Sequence, residues 1–295
     1  MKVEMYGLRL PVVSEKVDLV GLILDYLRER GIKLEDGDIL VLTSKFVQKA
    51  LGLVVDLSSI KPSFRAKLIS KLTGKDPVET QVILNSSRRI LFGVSTSFLK
   101  EYIDRLSREP SDAVKALENV KYILITESRN GFITTDSGLD YSNLPPGKAV
   151  VNAYDFDSIA REIREEFRRR VGVDISVVIT DTEFTLSNGK FGSLDYAVGT
   201  SGIAVVTREF GSRDLYGRPK FGGLDIVVDE ISAAAALLMR QCREGVPAVL
   251  IKGLEYERSN EGVKTILVTR FHGQAIKLLI KNMLLIVLLK LLRIL

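Results

Sequence analysis

The sequence predicts a folded protein of mixed class, with strands and helices alternating in one chain, and three observations predict it. Short continuous apolar runs end in polar loops at residues 39–42, 122–126, 175–179 and 248–251, as buried strands do. Residues 157–171 place Ile159, Ile163, Phe167 and Val171 at steps of four with charges elsewhere, the pattern of an amphipathic helix. The hydrophobic fraction of 46% and charged fraction of 27% are those of an ordinary folded protein, and 295 residues bury a substantial core in one large domain or two lobes.

From the start of the chain, Leu10, Pro11, Val12 and Val13 lead to Ser14, read as a helix N-cap. Val17, Val20, Leu24 and Leu27 then recur at helical spacing until Gly31 stops the helix. Residues 10–13 become a loop at a helix entrance, whose amides either cradle phosphate or bind water. Asp36-Gly37-Asp38 turns into the strand 39–42, and Thr43, Ser44 and Lys45 follow, with Lys49 further on. Hydroxyls and two lysines at a strand end suit a nucleotide's phosphates, and they equally suit a solvated turn. Residues 62–72 read as a helix opened by Pro62 and closed by Gly74, and 78–84 as another. Residues 94–117 read as helical, charged and interrupted by Pro110.

The strand 122–126 runs into Arg129–Asn143, a polar segment with Asp136, Gly138, Asp140 and Asn143. Hard oxygens this close suit Mg or Mn with a phosphate, and the same residues make an Asx-turn between strands. The strand 175–179 leads to a second segment, Thr180-Asp181-Thr182, read as a loop. Two strands each ending in an aspartate can place two carboxylates on one metal cluster for phosphoryl transfer. A Gly- and Ser-bearing loop follows to Lys190, then turn and strand over 197–206, and a polar loop with Arg213 and Arg218 that either grips an anion or forms a surface turn. Residues 224–241 read as an apolar helix carrying Asp229 and Glu230, before the strand 248–251 and a loop bearing Glu255, Glu257 and Glu261. The tail, 274–295, is apolar and basic. Its longest apolar run, 283–289, is too short to span a bilayer, so it reads as dimer or core packing ahead of a membrane-surface anchor.

One cysteine, Cys242, excludes an intramolecular disulfide framework, and one histidine, His272, excludes His-rich zinc sites and argues against a His-based triad. The net charge of +5 is spread along the chain, and its densest run, Arg168-Arg169-Arg170, ends a helix where cations meet the dipole, so no nucleic-acid partner is expected. The first residues lack an apolar secretory core, which makes the expected location cytoplasmic. No P-loop, G-x-G-x-x-G or C-x-x-C occurs, so a nucleotide would be bound by other means.

Taken in order, these segments resemble the coenzyme F420-0:L-glutamate ligase family, GTP-dependent enzymes that add glutamate to a deazaflavin coenzyme. The family's L-P-x-[IV] is Leu10 to Val13, and its D-G-D, apolar run and S-K-x-V-x-K-A is Asp36 to Ala50. Its glycine-rich N-A-G-x-D-x-S-N segment resembles Asn130 to Asn143, and its D-T is Asp181-Thr182. Its G-R-x-D-L-x-G-R with an A-x-D-E helix resembles Gly211 to Glu230, and its late E-G is similar to Glu261-Gly262. The likeness spans residues 1–270, with extra residues near 94–119 and the basic tail, 271–295, as a separate helix.

The resemblance implies an α+β fold of two interleaved lobes and a homodimer with sites near the interface. Asp140 and Asp181 would be catalytic and hold one divalent ion, Mg or Mn, while Thr182 and Glu261 would serve a second. Leu10, Pro11, Val12, Val13, Ser44, Lys45, Lys49 and Asn143 would surround GTP. The partners implied are GTP, L-glutamate and the deazaflavin precursor, joined through an acyl phosphate. This chain departs from the family at Leu51 and Leu53, at Asp136-Ser137-Gly138, and after Thr182, where Glu183 to Lys190 replaces G-R-x-x-R. These departures touch the acceptor side and leave two alternatives: a ligase of the same fold on another carboxylate, or a nucleotide-binding paralogue without turnover.

Overall fold

The computed structural model describes residues 2–185, 190, 192–240, 243–267, 281, 283–285 and 287–292. The chain opens with β1 (Glu4–Leu8), α1 (Leu19–Glu29), β2 (Ile39–Thr43) and α2 (Ser44–Leu51). It then passes through β3 (Val55–Asp56), α3 (Phe64–Thr73), α4 (Pro77–Ser86), β4 (Ser87–Ser95), α5 (Ile103–Leu106), α6 (Pro110–Asn119), β5 (Tyr122–Ser128), β6 (Ile133–Thr135) and β7 (Lys148–Ala149). It returns with α7 (Phe156–Val171), β8 (Ser176–Thr185), β9 (Gly192–Ser201), α8 (Val227–Met239) and β10 (Ala248–Lys252).

The larger lobe is a five-stranded sheet in the order β1-β10-β2-β8-β9. β2 and β8 are parallel and the other neighbours antiparallel. The strands β2 and β10 are buried at four consecutive positions, which requires cover on both faces, and α7 and α8 both pack on β8 and β9. The sheet supplies the core: Leu40, Leu42, Val177, Ile179 and Leu250 are wholly buried with Phe156 and Phe167 of α7. The approach of α7 is close enough that a Cβ on Gly199 would stand 2.3 Å from the Phe156 backbone, so only glycine fits there. The second lobe, a three-stranded antiparallel sheet β4-β5-β6 with α3 to α6, is inserted between α2 and α7, and this interleaving makes the fold α+β.

Several elements differ from the sequence-based expectations. The first helix is capped by Asp18, whose carboxylate accepts from Gly21 N at 3.0 Å, and Ser14 lies in the preceding loop. Residues 94–117 begin in β4, and Pro110 opens α6 at a position where its missing N–H costs nothing. Thr180-Asp181-Thr182 is not a loop: β8 continues through it to Thr185, because β9 pairs with it residue by residue to Gly192. The helix expected over 224–241 is α8, Val227–Met239; the Asp229 carboxylate accepts from Ala197 N at 2.9 Å, while Glu230 is exposed. Cys242, His272, the 270/271 boundary and most of the tail lie outside the described residues. Positions 281, 283–285 and 287–291 are helical, and no described helix is long and apolar enough to cross a membrane.

Candidate active site

The register of two parallel strands builds the site. β2 and β8 run side by side with Thr43 opposite Thr180, so their C-terminal ends reach the same edge of the sheet. At that edge Thr43 turns the chain directly into α2, its hydroxyl accepting from Phe46 N at 3.4 Å. Ser44 and Lys45 therefore occupy the first helical turn and Lys49 the second, all on the cleft side, while β8 carries Asp181 one residue beyond Thr180. Ser44 hydrogen-bonds to the Asp181 carboxylate.

The inserted lobe supplies the opposite wall. Backbone bonds between Asp140 and Val150, 3.1 and 3.0 Å, pin Asp140, and its carboxylate accepts from Ser142 N at 2.7 Å. The Asx-turn and the cleft-facing carboxylate are thus one arrangement. Lys45 Nζ lies 2.5 Å from Asp140 Oδ2 and also donates to the Ser142 hydroxyl, and Lys49 Nζ donates to the Asn143 carbonyl at 2.9 Å. Asn143 itself has a positive φ of 57°, which asparagine tolerates better than most residues.

These residues line one cleft of about 630 Å³. It takes in Leu10, Pro11, Val12 and Val13, then Ser44, Lys45 and Lys49, and finally Asp140, Asn143, Asp181 and Thr182. Leu10 is held by its amide to the Gly245 carbonyl at 3.2 Å, which ties the loop after β1 to the segment after α8. Glu261 does not join them: it pairs with Arg208 and is not on the cleft wall. Asp136 does not either, since its carboxylate is taken by Lys75 Nζ at 2.7 Å and Leu124 N at 2.9 Å. The cleft also holds Asp195, Arg240 and Arg243, which sequence reasoning missed. Only the charge pattern of Arg240-Gln-Cys-Arg243, just past an apolar helix, hinted at two of them.

Burial pushes the Asp181 carboxyl up to about 7, and Asp140 and Glu183 add to the shift against the opposing hydrogen bonds from Thr182 N and Ser44. Among the described residues no cation is paired with it. The Asp195 carboxyl is likewise raised by burial while accepting from the Thr182 hydroxyl at 2.7 Å, and Lys49 is lowered by burial and then by Lys45. Among the described residues no three His, Cys, Asp or Glu side chains group closely enough to hold a metal ion by themselves. The Asp140–Asp181 pair with its surrounding hydroxyls is nevertheless an all-oxygen donor set that suits Mg or Mn completed by phosphate oxygens.

Fold and cleft define a class: an α+β protein with two carboxylates facing two lysines at the edge of a parallel strand pair. A sequence model of the F420-0:Gamma-glutamyl ligase family matches residues 7–253. The chain belongs to that family. It is 34% identical over 260 residues to the coenzyme F420:L-glutamate ligase of Methanothermobacter thermautotrophicus, covering 88% of this chain and 92% of that protein. With the enzyme of the same name from Methanopyrus kandleri it shares 36% over 247 residues, 84% and 87% of the two chains. With that of Methanocaldococcus jannaschii it shares 32% over 254 residues, 85% and 88%.

Proposed function

We propose that the chain is a ligase of coenzyme F420 biosynthesis that joins L-glutamate to the carboxylate of the deazaflavin precursor at the expense of GTP, in the cytoplasm and as a homodimer. The observation that carries this reading is the convergence of Asp140, Asp181, Ser44, Lys45 and Lys49 on one cleft. A carboxylate and an ammonium do not condense at neutral pH, so the acceptor carboxylate first attacks the GTP γ-phosphorus. The β–γ bridging P–O bond breaks, GDP leaves, and an acyl phosphate forms. The glutamate amine then attacks the acyl carbon and inorganic phosphate departs with the C–O bond electrons, leaving an amide.

In this reading Lys45 and Lys49 offset the triphosphate charge that would repel an incoming carboxylate, and the amides of residues 10–13 and of the start of α2 receive phosphate oxygens. Arg240 and Arg243, which also line the cleft, would add guanidinium groups suited to phosphate or carboxylate. Asp140 and Asp181 would hold a divalent ion, which would supply charge neutralisation at the γ-phosphate, and Thr182 would serve a second. The Asp181 carboxyl fits that role because it is partly buried on the cleft wall, raised and without a cationic partner among the described residues. Lys45, paired with Asp140 in this structure, would be the cation closest at hand to meet a phosphate there.

The test is mass spectrometry of the purified protein incubated with GTP, Mn, L-glutamate and the glutamate-free precursor, with GDP followed in parallel. A mass gain of glutamate matched by GDP is expected. GDP without the adduct would transfer the activity to another acceptor, and neither product would make the chain a non-catalytic paralogue.

A further inference from the structure

Two elements away from the cleft combine exposed apolar side chains with unpaired cations, and the proposed chemistry uses neither. The first is the outward face of α3. This helix is firmly seated: the Ser63 hydroxyl caps it by accepting from Ala66 N at 3.2 Å, and Ser63 N donates to Gln81 Oε1 of α4 at 2.8 Å. Ala66, wholly buried, marks its inward side together with the half-buried Ile69, Ser70 and Thr73. The opposite side presents Phe64, Leu68 and Leu72 at steps of four, 83%, 49% and 76% exposed. At 100° per residue Arg65 borders this stripe on one side and Lys67 and Lys71 on the other, all three exposed. No Asp or Glu occurs from Leu57 to Lys75, and among the described residues these three cations form no ion pair. A phenylalanine and two leucines held out in water mark a binding surface, and their cationic border gives the sign of what binds.

The second element is the basic tail. From Gly262 onward the sequence holds no acid, and Lys277, Lys281, Lys290 and Arg293 punctuate an otherwise apolar segment. Seven of the eight described apolar side chains between Met283 and Leu292 are at least half exposed, so these positions do not pack into the core of their own chain. At 100° per residue the seven spread over roughly 200° of the helix surface, about twice the stripe that packs against one protein face. Acyl chains can cover such an arc where a single protein face cannot. Lys281 and Lys290 stand near its two ends, and their long stems let ammonium groups reach a headgroup layer while the leucines sink below it. The apolar run is too short to cross a bilayer, and no described helix qualifies as a span, so the contact is with a surface.

We infer that the protein docks on an anionic lipid surface through two contacts, the Phe64–Leu68–Leu72 face of α3 and the helix of the tail. Each is an apolar patch with cations and no acid, the composition that places apolar side chains among acyl chains and ammonium or guanidinium groups among anionic headgroups. Neither contact is strong alone. Three apolar side chains on α3 and one short helix give marginal binding separately, and two weak contacts on one body multiply into a stable one because the second forms at high effective concentration. The association is peripheral and independent of the ligase reading: it uses no residue of the cleft, and the cleft stays open to water-soluble substrates.

Flotation of the full chain with vesicles of phosphatidylcholine, alone or with phosphatidylglycerol added, tests this. Binding to the anionic vesicles is expected to exceed binding to the neutral ones by about tenfold or more and to weaken as salt is raised. Lys67→Glu with Lys71→Glu should lower the affinity for anionic vesicles by about tenfold or more and flatten its salt dependence, with circular dichroism and thermal unfolding unchanged because both side chains are exposed. Phe64→Ser with Leu72→Ser on α3, and Leu284→Ser with Leu288→Ser in the tail, should each weaken binding to a similar degree. No flotation with either vesicle, or equal flotation with both, overturns the inference. Loss in the tail variant alone overturns the part given to α3. A tail variant that floats as the wild type does but sediments more slowly without vesicles shows that protein, not lipid, covers the tail.

Discussion

Asp136 and Asp181 come from the two polar segments that stand out in the sequence, and the two lobes treat them oppositely. In the inserted lobe, Asp136 receives Lys75 and the Leu124 amide, so its charge is met by the fold. At the edge of the main sheet, Asp181 is surrounded by hydroxyls, an amide and two other carboxylates, and burial raises it instead. A buried charge that the protein satisfies is a structural joint. One that it leaves raised, in a cleft that also holds lysines, is poised for a ligand that brings its own charge.

The contrast predicts opposite outcomes for the same kind of substitution. Asp181→Ala or Asp140→Ala should lower GDP release by roughly a thousandfold or more, as loss of transition-state charge stabilisation does, and abolish Mn-dependent GTP binding while leaving thermal unfolding near wild type. GTP binding that still depends on Mn in Asp140→Ala would sink the metal assignment. Lys75→Met should behave in reverse. It strands Asp136 inside the fold, at a cost of roughly 3 kcal/mol in urea unfolding, with Mn affinity unchanged in the folded fraction. Equal losses of Mn affinity in both variants would erase the distinction between the two aspartates.

A second way to sharpen it is pH. The Asp181 carboxyl lies above its unfolded value, so between about pH 4 and pH 7 the native state holds a proton that the unfolded chain has lost. Its contribution to stability is complete below that window and falls as pH rises through about 7. Metal-free protein should therefore lose stability across the window, and Asp181→Asn should flatten that slope. Mn binding has the opposite sense, because the ligand form is the carboxylate. Its affinity should rise about tenfold per pH unit up to about 7 and level off above, with proton release in calorimetry. An affinity independent of pH from 5 to 7 would mean that Asp181 does not bind the ion.

Much of this was legible in the sequence where local chemistry decides. The strand 39–42 and the helix 157–171 carry unambiguous periodicity, and β2 and α7 occupy nearly those bounds. Ser44, Lys45 and Lys49 were legible only as hydroxyls and lysines at a strand end, suited equally to phosphate or a solvated turn; the helix α2 that Thr43 caps there was not foreseen. Residue types alone could not separate Asp136 from Asp140, since both sit in one turn-forming segment and Lys75, far off in the chain, claims the first; the family resemblance is what singled out Asp140. The loop reading of Asp181 failed because β9 prolongs β8, and cross-strand pairing leaves no local signal in T-D-T. Arg240 and Arg243 carried only a charge pattern, because nothing local shows that α8 ends at Arg240, with φ 51°, beside the cleft that both residues line.

The smallest effect separates the site's helix from an ordinary one. Thr43 caps α2 and Asp18 caps α1, so Thr43→Ala and Asp18→Ala should each lose a bond to a helix amide worth about 1 kcal/mol of stability, Asp18→Ala losing its ion pair with Arg170 as well. Of the two helices, α2 places its first turn on the cleft wall and α1 does not, so it is the α2 amides that are expected to receive an anion. Thr43→Ala should therefore also raise the KM for GTP severalfold, because Ser44 and Lys45 lose the fixed helix start that aims them. Asp18→Ala should leave KM unchanged at a cost to folding at least as large. Identical kinetics in the two variants would mean that the start of α2 is simply a capped helix end, and that the lysines find the phosphates without it.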